Sequence, residues 1–272
     1  MTIPIISSET WRNELSLNPI ALVISITLFT HPSPTLFLNR LVLCYDNVIS
    51  YSHTDCYWCM TQLLLIRHAV NDYVKTGKLA GWLPGVHLNE EGQAQAQALG
   101  QRLIDIPLQV IYASPLERTM ETAQAVHAHN ANILLIPYEP IGEVRYGDCE
   151  GMSISELRSR KMWQVIQEYP SRASFPNGET LRDAQTRMIN AIEEIVLRHP
   201  GELVAIVSHA DMIKMAVAHY LGTHLDNFQR IEVSPASITT LMLSHSRPHV
   251  GTVNDVAHLI ELKRQKKEIS HA

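Results

Sequence analysis

The sequence predicts an α/β fold, a three-layer α/β/α sandwich around a mostly parallel sheet. Two runs of mainly apolar residues, 62–67 and 203–207, are typical of strands that are buried on both faces. From Met60 onward, helical patterns alternate with short strands, and this alternation is typical of a parallel sheet that is covered by helices.

The other elements follow from local signals. Asn89 is a good N-cap after a polar, glycine-rich loop, and Glu90 and Glu91 suit the first turn of a helix. Ser114 and Pro115 predict the start of the next helix, because proline is tolerated at the first helical position. The remaining predicted elements are helices at about 153–168, 178–198 and 211–220, strands at 108–112, 133–136, 230–233 and 237–243, and a fraying helical tail from Glu261.

Charge density divides the chain at Met60. Of the 22 basic and 27 acidic residues, only six lie in 1–59, a segment that also holds three of the four cysteines. We therefore predict a non-core extension at 1–59, irregular or absent from the natural protein, whose own chain would begin at Met60. A single domain is predicted at 60–260, followed by a charged tail at 261–272.

Two features of the extension have functional alternatives. The apolar run 20–29 is too short for a membrane-spanning helix, which needs about 20 residues. Cys56 and Cys59 form a C-x-x-C motif that, with Cys44 and His53, is a candidate for redox or zinc chemistry. A redox motif normally opens a helix, whereas a strand follows here, and the zinc spacing is irregular. An extension without function is the favoured interpretation.

Composition narrows the range of partners. A formal net charge of −5 with 18% charged residues gives no reason to expect nucleic acid or an anionic membrane as a partner. Four cysteines do not form a disulfide scaffold in a chain of 272 residues, so we expect a cytoplasmic protein. A homodimer is an open option for its assembly.

Two histidines directly follow the two buried strands. Arg67 and His68 come after the first strand, and Ser208 and His209 come after the second. Side chains beyond the carboxyl ends of strands line the ligand crevice in open α/β sheets, so we expect both histidines to meet in one pocket. A structural role is the simpler interpretation for any single histidine, but the matched pair favours a functional site.

Five sequence blocks in order along the chain resemble the histidine phosphatase superfamily, also called phosphoglycerate-mutase-like. They are 65–69 with its Arg67-His68-Ala69 signature, 81–82 with 88–95, 114–123, 143–151 and 207–211, and the segment 254–259 resembles the family's closing segment. The resemblance covers about 60–260 and none of 1–59. It implies a phosphoglycerate-mutase-like fold and an enzyme that needs no metal and no cofactor.

The resemblance also assigns roles to residues. The implied catalytic residues are His68 as the nucleophile that carries the phosphoryl group, Glu143 as the general acid and base, and His209 as a further donor to the transferring group. Arg67 and Arg118 would bind the phosphate, because their planar guanidinium groups match its oxygens. Their positive charge would also keep the imidazole of His68 unprotonated and nucleophilic.

The chain departs from the family pattern at some positions. Mutase-type sequences have an asparagine seven residues after the signature arginine, where this chain has Val74. Either the nearby Asn71 binds the phosphate instead, or the pocket has one contact fewer. Cys149 stands where many relatives have tryptophan, and Glu150 competes with Glu143 for the role of acid.

The favoured function is hydrolysis of a phosphate monoester of a small metabolite. Mutases of the family carry a long, arginine-rich insertion between the acid and the second histidine, whereas only residues 144–208 lie between them here. A phosphoglycerate mutase is the first alternative, and a catalytically silent domain that binds phosphorylated ligands is the second. Candidates for reading a second anionic group on the substrate are Arg158, Arg160, Lys161 and Arg172.

Removal of residues 1–59 tests the predicted domain boundary. A chain of residues 60–272 is expected to melt within a few degrees of the full chain, to keep its hydrolytic rate and to lose no zinc. Thermal unfolding, a phosphatase assay and metal analysis of both chains measure this. A drop of many degrees in Tm, or a collapse of activity, would show that the extension packs on the domain.

Overall fold

A computed structural model of the protein describes residues 43–45, 48–50, 60–244 and 247–269. In a small N-terminal unit, strands β1 (Leu43–Tyr45) and β2 (Val48–Ser50) pair antiparallel. The apolar run 20–29 and the C-x-x-C motif of the predicted extension lie outside the described residues. The boundary at Met60 therefore stays a prediction.

The larger unit is built on a six-stranded sheet. Its strands are β3 (Thr61–Arg67), β4 (Val110–Ala113), β5 (Leu134–Pro137), β6 (Leu203–Ser208), β7 (Ile238–Leu243) and β8 (His249–Val250). The strand order is β5-β4-β6-β3-β7-β8. The first four of these strands run parallel, whereas β7 and β8 pair antiparallel at one side. The predicted mostly parallel sheet is confirmed.

Helices cover both faces of this sheet. They are α1 (Asp72–Thr76), α2 (Glu90–Arg102), α3 (Glu117–Ala128), α4 (Ile154–Leu157), α5 (Lys161–Glu168), α6 (Leu181–Arg198), α7 (Ala210–Tyr220) and α8 (Ala257–Ile269). Within the described part of the chain, no helix is both long and apolar enough to cross a membrane.

Strand β3 shows how the two faces are filled. Leu63 and Leu65 are fully buried in a core that includes residues of α6 and α7. Leu64 and Ile66 point to the opposite face, into a second core formed with α2 and α3. Successive side chains of a strand alternate between the faces, so a continuous apolar run requires a helical layer on each side. This arrangement is the predicted three-layer sandwich.

Two predicted elements differ from the structure. The helix predicted at 153–168 is two helices, α4 and α5, and α4 has its own capping box between Ser153 and Glu156. The strand predicted at 230–233 is wrong, because residues Leu225–Arg230 form a 3₁₀ helix and Val233 follows as an irregular segment. The carbonyl of Val233 accepts a hydrogen bond from the side chain of Arg67, the last residue of β3. It therefore does not pair with a neighbouring strand.

Candidate active site

His68 and His209 lie side by side because β3 and β6 are parallel neighbours in register. Arg67 pairs with Ser208 across the two strands, so each histidine is the next residue of its chain at the same sheet edge. Both imidazoles are buried, and their ring centroids are 5.3 Å apart with the planes inclined at 61°. The two histidines meet as expected, although only His68 is in the wall of the cavity at this sheet edge.

One hydrogen bond fixes the tautomer of His68. Its Nδ1 lies 2.7 Å from the carbonyl oxygen of Ala69, and since a carbonyl can only accept, Nδ1 carries the proton. The lone pair is then on Nε2. Burial, followed by the charges of Arg118 and Arg67, lowers the pKa of His68 well below its usual value. The ring is therefore neutral, oriented and nucleophilic near neutral pH.

His209 connects three parts of the site. Its Nε2 lies 2.9 Å from Oγ of Ser114, and its Nδ1 lies 3.3 Å from Nη2 of Arg118 and 3.6 Å from Oε2 of Glu143. Burial and the charge of Arg118 lower the pKa of His209 well below its usual value, so this imidazole is also neutral. The prediction that Ser114 caps a helix is wrong: α3 has Leu116 at its N-cap, and the Ser114 hydroxyl faces His209 instead.

Three buried donor nitrogens on residues of the site have no hydrogen-bond partner among the described residues. They are Nε of Arg67, Nη1 of Arg118 and Nδ2 of Asn71. Each of these side chains is held by another contact: Arg67 donates to the Val233 carbonyl at 2.8 Å, and Arg118 donates to the Gly81 carbonyl at 2.9 Å. Free donors on fixed side chains suit the oxygens of a phosphate group.

The side-chain amide of Asn71 can cap a helix through its oxygen and donate to a ligand through its nitrogen at the same time. Its Oδ1 accepts from the backbone N–H of Val74 at 2.9 Å and so caps α1, a short helix that the sequence prediction missed. Its Nδ2 is one of the free donors. Val74, which stands in the family's asparagine position, also lines the cavity but supplies no polar side chain. Whether Asn71 takes the place of the missing asparagine stays a prediction, and its unpartnered Nδ2 is the donor that it would use.

Five of the six predicted site residues line one cavity of about 410 Å³ at the carboxyl ends of β3 and β6. Arg67, His68, Asn71, Arg118 and Glu143 are in its wall. His209 is fully buried behind them, within 3.6 Å of Glu143. A volume of this size is at the small end of ligand sites and fits a small metabolite.

The two candidate acids have different surroundings. Glu143 is in the cavity wall, where burial, then the charge of Asp211, raises its pKa to about 7. Glu150 accepts a hydrogen bond from the backbone N–H of Trp82 at 3.1 Å and packs against Gly81, so it holds the 81–82 loop. Glu143 thus combines a place in the cavity wall with the raised pKa that a general acid needs, whereas Glu150 is not in that wall.

Sequence reasoning missed the residues that hold Glu143 in place. Arg187 of α6 donates to the backbone carbonyls of Gly142 and Glu143 at 2.9 and 3.1 Å, and pairs with Glu179 at 2.6 Å. The indole N–H of Trp82 donates to the same Glu143 carbonyl at 2.7 Å. These contacts join distant parts of the chain, and no local pattern indicates them.

Cys149 lies in the hydrophobic core and is fully buried. Burial raises the pKa of its thiol, which makes it a packing residue and not a reactive one. Among the described residues, no group of three or more His, Cys, Asp or Glu side chains is arranged to hold a metal ion.

Unpartnered donors of Arg67 and Arg118 beside a neutral histidine form a site that suits a phosphate group. The model of the histidine phosphatase superfamily (branch 1) matches residues 63–256, and the chain belongs to this family. The match covers all five sequence blocks.

Relatives with known names agree with this assignment. Phosphoserine phosphatase 1 of Hydrogenobacter thermophilus is 31% identical over 207 residues, which cover 74% of this chain and 96% of that protein. The 2,3-bisphosphoglycerate-dependent phosphoglycerate mutase of Bartonella henselae is 30% identical over 57% of this chain and 79% of that protein. Among solved structures, YhfR of Bacillus stearothermophilus superposes with a TM-score of 0.69 at 31% identity, over 73% of this chain and 99% of that one.

Proposed function

We propose that the protein is a metal-independent phosphomonoester hydrolase that works through a phosphohistidine on His68 in the cytoplasm. The single observation that carries this proposal is the orientation of His68. Its Nδ1–H is tied to the Ala69 carbonyl, its pKa is lowered, and the free donors of Arg67 and Arg118 lie in the same cavity wall. Nε2 is thus the ring nitrogen of His68 that keeps its lone pair for attack on a phosphate group in this cavity.

The reaction then has two half-reactions. Nε2 of His68 attacks phosphorus, the bond from phosphorus to the ester oxygen breaks, and Glu143 gives its proton to the leaving alkoxide. Water next attacks the phosphohistidine, Glu143 takes a proton from that water, and the bond from nitrogen to phosphorus breaks to give inorganic phosphate. Arg67, Arg118 and Asn71 supply the donors that neutralise the equatorial oxygens in both steps.

Hydrolysis is favoured over mutase transfer because the segment between Glu143 and His209 is short. It contains α4, α5, α6 and β6, and it contributes Ile154, Arg158 and Trp163 to the cavity wall. The relative named phosphoserine phosphatase 1 also covers more of this chain than the Bartonella mutase does. The mutase similarity keeps a phosphoglycerate mutase as the second candidate.

A substrate panel in the presence of EDTA tests the proposal. It should contain p-nitrophenyl phosphate, O-phosphoserine, 3-phosphoglycerate and a sugar phosphate, with release of inorganic phosphate as the readout. We expect release from several members. Isomerisation of 3-phosphoglycerate without release would favour the mutase, and binding without any turnover would favour a silent phospho-ligand domain.

Glu143→Gln is expected to slow substrates with poor leaving groups much more than p-nitrophenyl phosphate. An alkoxide needs a proton as it departs, whereas p-nitrophenolate does not, so we expect losses of about 10²- to 10⁴-fold and under tenfold respectively. In the native enzyme, turnover of alkyl phosphates should fall as the pH rises above about 7, because Glu143 then loses its proton. Steady-state rates of both substrates between pH 5 and 9 measure this.

Glu150→Gln is the matched control, since Glu150 holds the neighbouring loop outside the cavity wall. It should affect both substrate types alike. If Glu150→Gln shows the leaving-group dependence and Glu143→Gln does not, the acid has been assigned to the wrong carboxylate.

A further inference from the structure

The cavity carries more positive charge than a phosphate group needs. Beyond Arg67 and Arg118, its wall holds three further cations, Lys78, Arg158 and Lys214, against the single carboxylate of Asp211 and the raised-pKa Glu143. The sequence candidates Arg160, Lys161 and Arg172 are not among the described residues of this wall. The part of the substrate beyond its phosphate therefore meets a predominantly positive surface.

Lys214 differs from the other two extra cations in its burial. Lys78 and Arg158 are exposed at the mouth, whereas only 17% of the Lys214 side chain is accessible. A lysine loses hydration when it is held in a wall in this way, so an anion that reaches it is bound more strongly than one at an exposed lysine. Lys78 and Arg158 are better placed to attract an anion than to select it.

Lys214 lies on α7 and lines the same cavity as Arg67, His68 and Arg118. His209 is the N-cap of α7, and Lys214 lies about 7.5 Å further along the helix axis, five residues at 1.5 Å each. The part of a substrate beyond its phosphate can therefore contact Lys214 in this cavity.

The contacts of Lys214 leave its ammonium available to a ligand. Its Nζ lies 3.5 Å from Oδ1 of Asp211 and 3.3 Å from Oε1 of Gln229, which are both long distances for a hydrogen bond from a charged amine. Asp211 in turn accepts from the Tyr146 hydroxyl at 3.3 Å. These two long contacts orient the Lys214 side chain but are weak hydrogen bonds for its ammonium group. A ligand carboxylate at a shorter distance would bind the ammonium more strongly.

We propose that Lys214, oriented by Asp211 and Gln229, binds a carboxylate on the leaving alcohol, so that the preferred substrates are phosphate monoesters of hydroxy or amino acids. This inference rests on the proposed hydrolase function. The carboxylate sits on the carbon atom next to the one that bears the ester, as it does in O-phosphoserine and 3-phosphoglycerate. Lys214 is a specificity residue and takes no part in the bond changes.

Matched substrates and variants test this assignment. Phosphoethanolamine is O-phosphoserine without its carboxylate. The substrate p-nitrophenyl phosphate has neither the carboxylate nor the amino group. Lys214→Met, which keeps the apolar stem, is expected to lower kcat/KM for O-phosphoserine and 3-phosphoglycerate by about 10- to 100-fold, chiefly through KM. It should change kcat/KM for phosphoethanolamine and p-nitrophenyl phosphate less than threefold, and competitive inhibition by inorganic phosphate should stay the same.

Three further variants complete the experiment. Lys214→Arg should keep most of the carboxylate preference, since it retains a cation, and Lys214→Gln, which removes the charge, serves as the test if Lys214→Met fails to fold. Lys161→Met removes a charge outside the cavity wall and should leave all four substrates unaffected. Equal losses on phosphoethanolamine and O-phosphoserine, or no loss on either, would overturn the role of Lys214. Absence of any turnover by the native enzyme would instead contradict the proposed hydrolase function.

Discussion

His68→Ala is expected to lower turnover of every phosphate monoester by at least about 10⁴-fold, since it removes the proposed nucleophile. The orientation of the His68 imidazole is fixed by the hydrogen bond from its Nδ1 to the backbone carbonyl of the next residue, Ala69. No other side chain in the cavity wall presents an unprotonated ring nitrogen to the same donors, among the residues the structure describes. Steady-state kinetics with p-nitrophenyl phosphate measures the loss.

The control for this variant is His219→Ala, which removes an exposed histidine at the other end of α7. It should retain the native rate. Because His68→Ala leaves a cavity among buried residues, its Tm has to be measured as well. A folded His68→Ala protein with full turnover would exclude His68 as the nucleophile.

Arg118→Lys is expected to lower kcat/KM by about 10²- to 10³-fold although it keeps the positive charge. Arg118 uses one Nη for the Gly81 carbonyl and for Nδ1 of His209, and its other Nη is a free donor in the site. A lysine ammonium is a single point charge and cannot hold the loop and present a fixed donor to phosphate at the same time. Kinetics with two substrates of different leaving groups should show the same loss on both.

Arg102→Lys is the matched control for Arg118→Lys. Arg102 is an exposed residue at the end of α2 whose guanidinium pairs with Asp255 at 3.0 Å, away from the cavity wall. It should change the rate less than twofold. If Arg118→Lys retains native kcat/KM, the guanidinium geometry is not what binds the phosphate.

The sheet and the two histidines could be predicted because their signals are local. A continuous apolar run identifies a doubly covered strand, and parallel strands bring the residues after them to one edge. The fold class, and the meeting of His68 with His209, follow from these two rules. The arginines, Glu143 and Asn71 came from the family resemblance, and the structure gathers them around the same cavity.

The remaining features depend on contacts between distant residues. Ser114 has the sequence signature of a helix cap, but its hydroxyl is used by His209, which lies 95 residues further along the chain. Arg187 has no signal in the sequence, since its role is defined only by the carbonyls of Gly142 and Glu143 that it reaches. The sequence does not distinguish Lys214 from other lysines of a helix, and only the structure shows that it lines the cavity.

Rapid-quench trapping with ³²P-labelled substrate tests the central claim most directly. The native enzyme should accumulate a protein-bound phosphate that is labile in acid and stable in base, as a phosphoramidate is, and that maps to His68. His68→Ala should form none of it. A phosphate that is stable in acid, or one that maps to another residue, would contradict the phosphohistidine mechanism.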